Sequence, residues 1–271
     1  VSELTPEEIK KLESVKAKFA GLTIRTAAEL AEATGLVMVV YGAPGAGKTT
    51  VFAQAAGWKG KRALLLDADS GTRSVTDIPD LDVITIESWA QLESVQRALA
   101  SENHPYGTVL YDNLSEYQSL SIRSIAGNGP PEIQHWNRST ADMMRMTRFS
   151  RDLAKNKGIN IGLIAWEAPE KDESTGVIKR DLGFTPSLAR QFPGIVDIIG
   201  YLTVANDGRR ILSFEPSNRS AAKFRRAQNS PASKIPLKIT YRLEDKVIVD
   251  ILNTFNGQKW PEQKYRIKKE A

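Results

Sequence analysis

The chain has no cysteine and only two histidines, His104 and His135, in 271 residues. The first lack removes disulfides, thiolate metal sites and a cysteine nucleophile. The second leaves too little for a histidine-built metal centre or a Ser-His-Asp triad. Long apolar runs are missing as well: Ile195 to Ala205 falls well short of a membrane span and is interrupted by Asp197 and Gly200. The polar start (Glu3, Glu7, Glu8, Lys10, Lys11) lacks the order of a secretory leader. Together these lacks lead us to expect a cytoplasmic protein with no membrane partner.

A hydrophobic content of 41% is ample for a core, and the length suits one α/β domain with appendages. The net charge of +5 is unevenly spread. From residue 218 onward, 13 Lys+Arg stand against 5 Asp+Glu, whereas residues 1–217 carry 24 against 27. A basic segment of this kind can hold nucleic acid through counterion release, or be an ordinary solvated surface.

Gly42-Ala43-Pro44-Gly45-Ala46-Gly47-Lys48-Thr49 satisfies G-x-x-x-x-G-K-[ST] at every fixed position. Its glycines let backbone N–H groups wrap a pyrophosphate without side chains in the way. Lys48 reaches the β- and γ-phosphates, and Thr49 offers a hydroxyl to Mg²⁺; Thr50 completes the loop. The apolar run Leu36 to Tyr41 upstream reads as a strand buried on both faces, and Thr49 to Ala56 downstream reads as a helix stopped by Gly57. Strand, glycine loop and helix in that order are what ATP binding requires.

Hydrolysis needs further acids. Asp112 ends the strand Tyr106 to Asp112 and is the candidate partner of Thr49 in holding Mg²⁺; the alternative is that it merely caps the next helix. Asn113 follows it, where the usual AAA+ arrangement has a second acid. The strand Ala63 to Asp67 closes in Asp67-Ala68-Asp69-Ser70-Gly71. Asp69 is the candidate for orienting water, with Asp67 and then Glu116 behind it, and an Asx-turn before Gly71 is the competing reading.

Thr5, Pro6 and Glu8 cap an amphipathic helix over 5–20, followed by a helix over 26–33. Strands at 83–86 and 159–166 and helices at 88–101 and 131–156 continue an alternation that predicts an α/β, mainly parallel, doubly wound sheet. Strand-like runs at 198–204, 210–214, 237–242 and 246–252 predict a C-terminal antiparallel extension, with Asn206-Asp207-Gly208 as one of its turns. Two long polar loops are expected, at 121–131 and 167–190. The resulting organisation is an N-terminal helical segment over 1–35, a nucleotide-binding core over 36–217, and basic C-terminal strands and tail over 218–271.

Gly42 to Thr50, the Leu64-to-Asp69 strand tip, Thr108 to Asp112, Ala165-Trp166-Glu167, and Phe192 to Gly200 with Val196-Asp197 together resemble the RecA-like P-loop ATPases. In particular they resemble the small phage-encoded proteins of the Sak-four single-strand annealing or recombination type, also classed among phage AAA-type nucleotide-binding proteins. The resemblance spans about residues 36–226. Two departures stand out: Asp69 occupies a position where RecA-like enzymes commonly carry Glu, and Trp166-Glu167 replaces a sensor that is often Gln. The resemblance implies a Mg²⁺-dependent ATPase that forms a ring or filament on single-stranded DNA, in a host cytoplasm, with a single-strand-binding protein as a candidate partner. It implies that the two loops touch DNA through Arg123, Lys179 and Arg180, which are otherwise ordinary surface charges. It also implies that Lys223 and Arg225, in Ala222-Lys223-Phe224-Arg225-Arg226, reach the neighbouring subunit's γ-phosphate; the alternative is a solvated basic strand end. Two other functions share the P-loop: a nucleotide-gated DNA-binding protein with incidental hydrolysis, and a small-molecule kinase with residues 167–190 as its lid.

Overall fold

The computed structural model describes residues 5–18, 34–171, 173, 176–217 and 220–265. Val1–Ala33 and Thr34–Ala271 form separate compact units. In the first, helix α1 (Pro6–Lys18) begins at a reciprocal cap: Thr5 N–H donates to Glu8 Oε2 at 2.8 Å, and Glu8 N–H donates to Thr5 Oγ1 at 3.4 Å. The expected helix over 26–33 lies outside the described residues.

The second unit is built on one sheet. Its parallel strands are β1 (Val37–Gly42), β2 (Arg62–Asp67), β3 (Leu81–Thr85), β4 (Tyr106–Asp112), β5 (Asn160–Lys171) and β7 (Ile198–Val204). Antiparallel strands β6 (Ile178–Leu182), β8 (Arg210–Ser213), β9 (Lys223–Phe224) and β10 (Lys238–Tyr241) are added to them. The order is β10-β8-β7-β1-β5-β4-β2-β3, with β6 on β5 and β9 on β7. This is an α/β core, mainly parallel and doubly wound, with a C-terminal antiparallel extension.

Strand β1 shows why the order holds. Val37, Val39 and Tyr41 enter one apolar layer, and Met38 and Val40 enter the other. A strand apolar on both faces is stable only at the centre of a sheet covered on both sides. Helices α3 (Trp89–Ser101), α4 (Leu114–Ala126) and α5 (Ile133–Lys157) supply the first layer. The second is built by α2 (Lys48–Ala53) and α7 (Val247–Phe255). A short helix α6 (Pro186–Gln191) follows β6.

Three local expectations are corrected. Residues 246–252 do not form a strand but open α7: Val247, Ile248, Ile251 and Leu252 are buried at helical spacing, against α2 and the second layer. β-Branched composition suggested a strand, and the 3.6-residue burial period prevails. Residues 121–126 are the last turns of α4, so the first loop is reduced to Gly127 to Glu132. The second loop is largely ordered, because β5 runs on through Glu167–Lys171 and pairs with β6 as a hairpin.

Candidate nucleotide-binding site

The carboxyl ends of β1, β4 and β2 converge on a pocket of about 410 Å³. It is lined by Gly45, Gly47, Lys48, Thr49, Asp69, Asp112, Trp166 and Arg210, among others. In open parallel sheets, ligands bind at this edge, where the chain reverses its direction of winding.

The loop geometry follows from its glycines. Gly45 and Gly47 adopt φ of +77° and +93°, the left-handed region that side chains avoid. Gly42 is required for a different reason: a Cβ there would lie 2.2 Å from the Leu202 carbonyl oxygen of β7. The loop thus starts where two backbones meet. Lys48 is 7% exposed, and its ammonium donates to the Gly42 and Ala43 carbonyls, each at 2.9 Å. Burial lowers its pKa, opposed by the charges of Asp112, Glu167 and Asp69. The loop therefore stores a cation among backbone carbonyls, ready for a phosphate that offers formal negative charge.

Thr49 Oγ1 donates to Asp112 Oδ2. Asp112 is 3% exposed, and burial pushes its pKa up to about 7, aided by Asp69 and Asp67 and opposed by Thr49 and Lys48. One hydroxyl and one carboxylate in contact form a hard-oxygen donor pair, which fits Mg²⁺ held together with substrate phosphates rather than in an all-protein cage. No cluster of three or more His, Cys, Asp or Glu suited to a metal occurs among the described residues.

Strand β2 lies directly beside β4, pairing Asp67 with Asp112. This places the tip of β2 beside the Thr49–Asp112 pair. Asp67 is buried and its Oδ1 accepts the N–H groups of Asp69 (3.1 Å) and Gly71 (3.3 Å), so it builds the turn. Of the two acids at this tip, Asp69 is the one that lines the pocket. Its Oδ2 accepts from Asn113 Nδ2 at 2.6 Å, and its Oδ1 accepts from Gly71 N–H at 3.0 Å. Glu116 is removed from this chemistry: it lines a separate depression with Arg123.

The remaining candidates are scattered. Lys223 donates to the Val196 carbonyl at 2.7 Å and to that of Pro193, and burial lowers its pKa. In this conformation its ammonium is engaged within its own subunit. Arg225 is 59% exposed and pairs with Asp197 at 3.3 Å. Lys179 pairs with Asp181 at 3.0 Å, and Arg180 with Glu167 at 3.5 Å. Arg123 is exposed on α4 and borders a depression of about 400 Å³ together with Trp136.

Arg210 and Leu243 in the nucleotide pocket have no counterpart in the sequence reading. Both come from the antiparallel extension, whose strands return to the loop only through the folded topology. No local motif marks them.

Among the comparisons with known proteins, residues 34–226 match the family model AAA_24, described as an AAA domain. No curated protein matches the chain. A solved structure described as the RadB recombinase aligns with 18% identity and a TM-score of 0.46, over 69% of this chain and 84% of that one. With the family model spanning residues 34–226, more than half of its length, the chain belongs to the AAA domain family.

Proposed function

We propose that the protein is a Mg²⁺-dependent ATPase that assembles on single-stranded DNA and promotes annealing or recombination, in the manner of the phage Sak-four type. The observation that carries the ATPase reading is the convergence of Lys48, Thr49, Asp112 and Asp69 on one pocket at the carboxyl edge of the sheet. In that reading Gly42 to Thr50 wrap the triphosphate, Thr49 and Asp112 hold Mg²⁺, and Asp69 orients the attacking water. The metal supplies charge neutralisation at the β- and γ-oxygens. Asp69 is a side chain shorter than Glu, so a second water between its carboxylate and the nucleophile suits it.

DNA binding is supported by Arg123 and Trp136 lining one depression, a cation and an indole that is 39% exposed. A cation for the phosphate and a ring for the base are the elements of a single-strand platform. Lys179 and Arg180 on the β6 hairpin are further candidate phosphate contacts once released from Asp181 and Glu167. Arg225, more exposed than Lys223, is the better candidate for a contact to the neighbouring subunit's nucleotide. A single-strand-binding protein as partner, and a cytoplasmic location, belong to the same reading.

The test is ATP turnover and particle size with and without an oligonucleotide. Turnover stimulated by single-stranded DNA, larger particles with DNA, and loss of turnover in Lys48→Ala are expected. No turnover, or turnover indifferent to DNA together with no oligonucleotide shift at low salt, overturns the reading.

A further inference from the structure

Among the described residues, four buried side-chain polar atoms have no hydrogen-bond partner: Gln54 Oε1, Asn160 Nδ2, Arg210 Nε and the Tyr241 hydroxyl. Three of the four meet at one place. Gln54 caps the C-terminal end of α2, and its amide nitrogen donates to the Leu243 carbonyl. Tyr241 pairs with Arg210 across β10 and β8. Arg210 and Leu243 both line the P-loop pocket, and with Tyr241 they also line an adjoining cleft of about 980 Å³. Unsatisfied buried groups are costly, and their clustering marks a place where a ligand supplies the missing partners.

Topology explains how Arg210 arrives there. Strand β8 runs antiparallel to β7, so its first residue lies at the edge where β1 and β7 end. Arg210 is that first residue. Its Nη1 donates to the Gly208 carbonyl at 2.5 Å, which fixes the guanidinium and leaves the Nε edge without an acceptor among the described residues. That edge abuts the last glycine of the loop: a Cβ on Gly47 would lie 3.8 Å from Arg210 Nε and 3.1 Å from Leu243 Cδ1. A guanidinium offers paired N–H groups in a fixed fork, which suits non-bridging phosphate oxygens.

We propose that Arg210 is a second cationic ligand for the phosphates of the bound nucleotide, supplied by the same chain that supplies Lys48. The inference rests on the nucleotide-binding reading and adds to it a residue that no motif marks. It makes the C-terminal extension part of the binding site. A contact to β8 ties nucleotide occupancy to the part of the sheet that carries β10 and α7.

The test is equilibrium binding of a fluorescent ADP and of ATP, with Mg²⁺ and with chelator, to wild type, Arg210→Ala, Arg210→Lys and Lys48→Ala. Arg210→Ala is expected to weaken both nucleotides at least tenfold, with Arg210→Lys recovering part of the loss and both variants melting cooperatively. The defect should be the same across protein concentrations that span assembly, as a contact within one chain requires. Binding by Arg210→Ala within twofold of wild type, while Lys48→Ala binds weakly, overturns this proposal alone. A defect seen only in the assembled state also overturns it, because the contact would then cross between subunits. Should Arg210→Ala fail to fold, Arg210→Gln carries the test: weakening of both nucleotides by about tenfold supports the contact, and affinity within twofold of wild type overturns it. Failure of the wild type to bind either nucleotide overturns the underlying reading and this proposal with it.

Discussion

Asn113 and Asp69 are joined by a 2.6 Å hydrogen bond from Nδ2 to Oδ2 across the tips of β4 and β2. The other end of the same amide, Oδ1, accepts the Glu116 N–H at 3.0 Å and caps α4. Asn113 is fully buried. One side chain thus starts a helix and aims the acid that faces the nucleotide pocket. A second acid at this position would face Asp69 as a like charge, which gives the departure from the usual AAA+ pair a physical reason.

Asn113→Asp keeps the helix cap, removes the donor and sets two carboxylates against each other. Turnover is expected to fall by about 10- to 100-fold, the scale of misplacing a catalytic group by about an ångström. Nucleotide affinity should stay within about threefold, since neither Lys48 nor the loop is touched. Single-turnover kinetics alongside equilibrium binding will separate the two. Asn113→Ala loses the cap as well, and should lower stability by about 1 kcal/mol in a denaturant melt.

Asp112 sets a pH dependence. Its pKa of about 7 in the folded protein lies above the ordinary carboxyl value, so between those limits the native state holds a proton that the unfolded chain has released. Its contribution to stability is full below the unfolded pKa and is lost as pH rises through about 7. If Asp112 holds Mg²⁺ as proposed, the metal displaces that proton, and Mg²⁺-nucleotide affinity should rise by about tenfold per pH unit below 7 and level off above. Calorimetry in two buffers of different ionisation heat will count the proton released. Asp112→Asn should abolish both the release and this share of the stability slope.

Gly42 and Gly45 separate packing from backbone strain. Gly42→Ala drives a Cβ onto the Leu202 carbonyl, with a backbone on each side and nothing flexible to yield. We expect a loss of about 2–3 kcal/mol, near the upper end for overpacking, with weakened nucleotide binding because the Gly42 carbonyl also holds Lys48. Gly45→Ala meets nothing within 4 Å and suffers only its φ of +77°. Its cost should be about 1 kcal/mol. Urea melts of the two variants will show whether contact or conformation dominates.

The parts of the site that were legible in the sequence are those whose chemistry is local. A loop of fixed glycine spacing, an acid ending an apolar strand, and an acidic strand tip can each be recognised within a few residues. Their meeting depends on the strand order β1-β5-β4-β2, which the alternation of strands and helices leaves open. The parts that were not legible depend on contacts distant in sequence. Val247 to Leu252 reads as a strand until its burial against α2 fixes a helical period. Arg210 carries no signal of its own, because only the antiparallel return of β8 brings it to Gly47. Trp136 stands outside the expected DNA loop and shares a depression with Arg123 only because α5 starts near the end of α4.

Trp136 and Arg123 make separable predictions about single-stranded DNA. Base stacking on an indole is largely independent of salt, whereas a guanidinium on a phosphate releases counterions. Trp136→Ala should therefore weaken oligonucleotide binding by about 1–3 kcal/mol while leaving the slope of log affinity against log salt unchanged. Arg123→Ala should lower that slope by about one and weaken binding most at low salt. Because Trp136 is 39% exposed and Arg123 is exposed, neither change removes a core contact, and the melting temperature should move little. Fluorescence anisotropy of a labelled poly-dT oligonucleotide across a salt series measures both quantities. If Trp136→Ala alters the slope, or if both variants bind as wild type at every salt concentration, the depression between α4 and α5 is not the DNA platform, and the β6 hairpin with Lys179 and Arg180 becomes the surface to test.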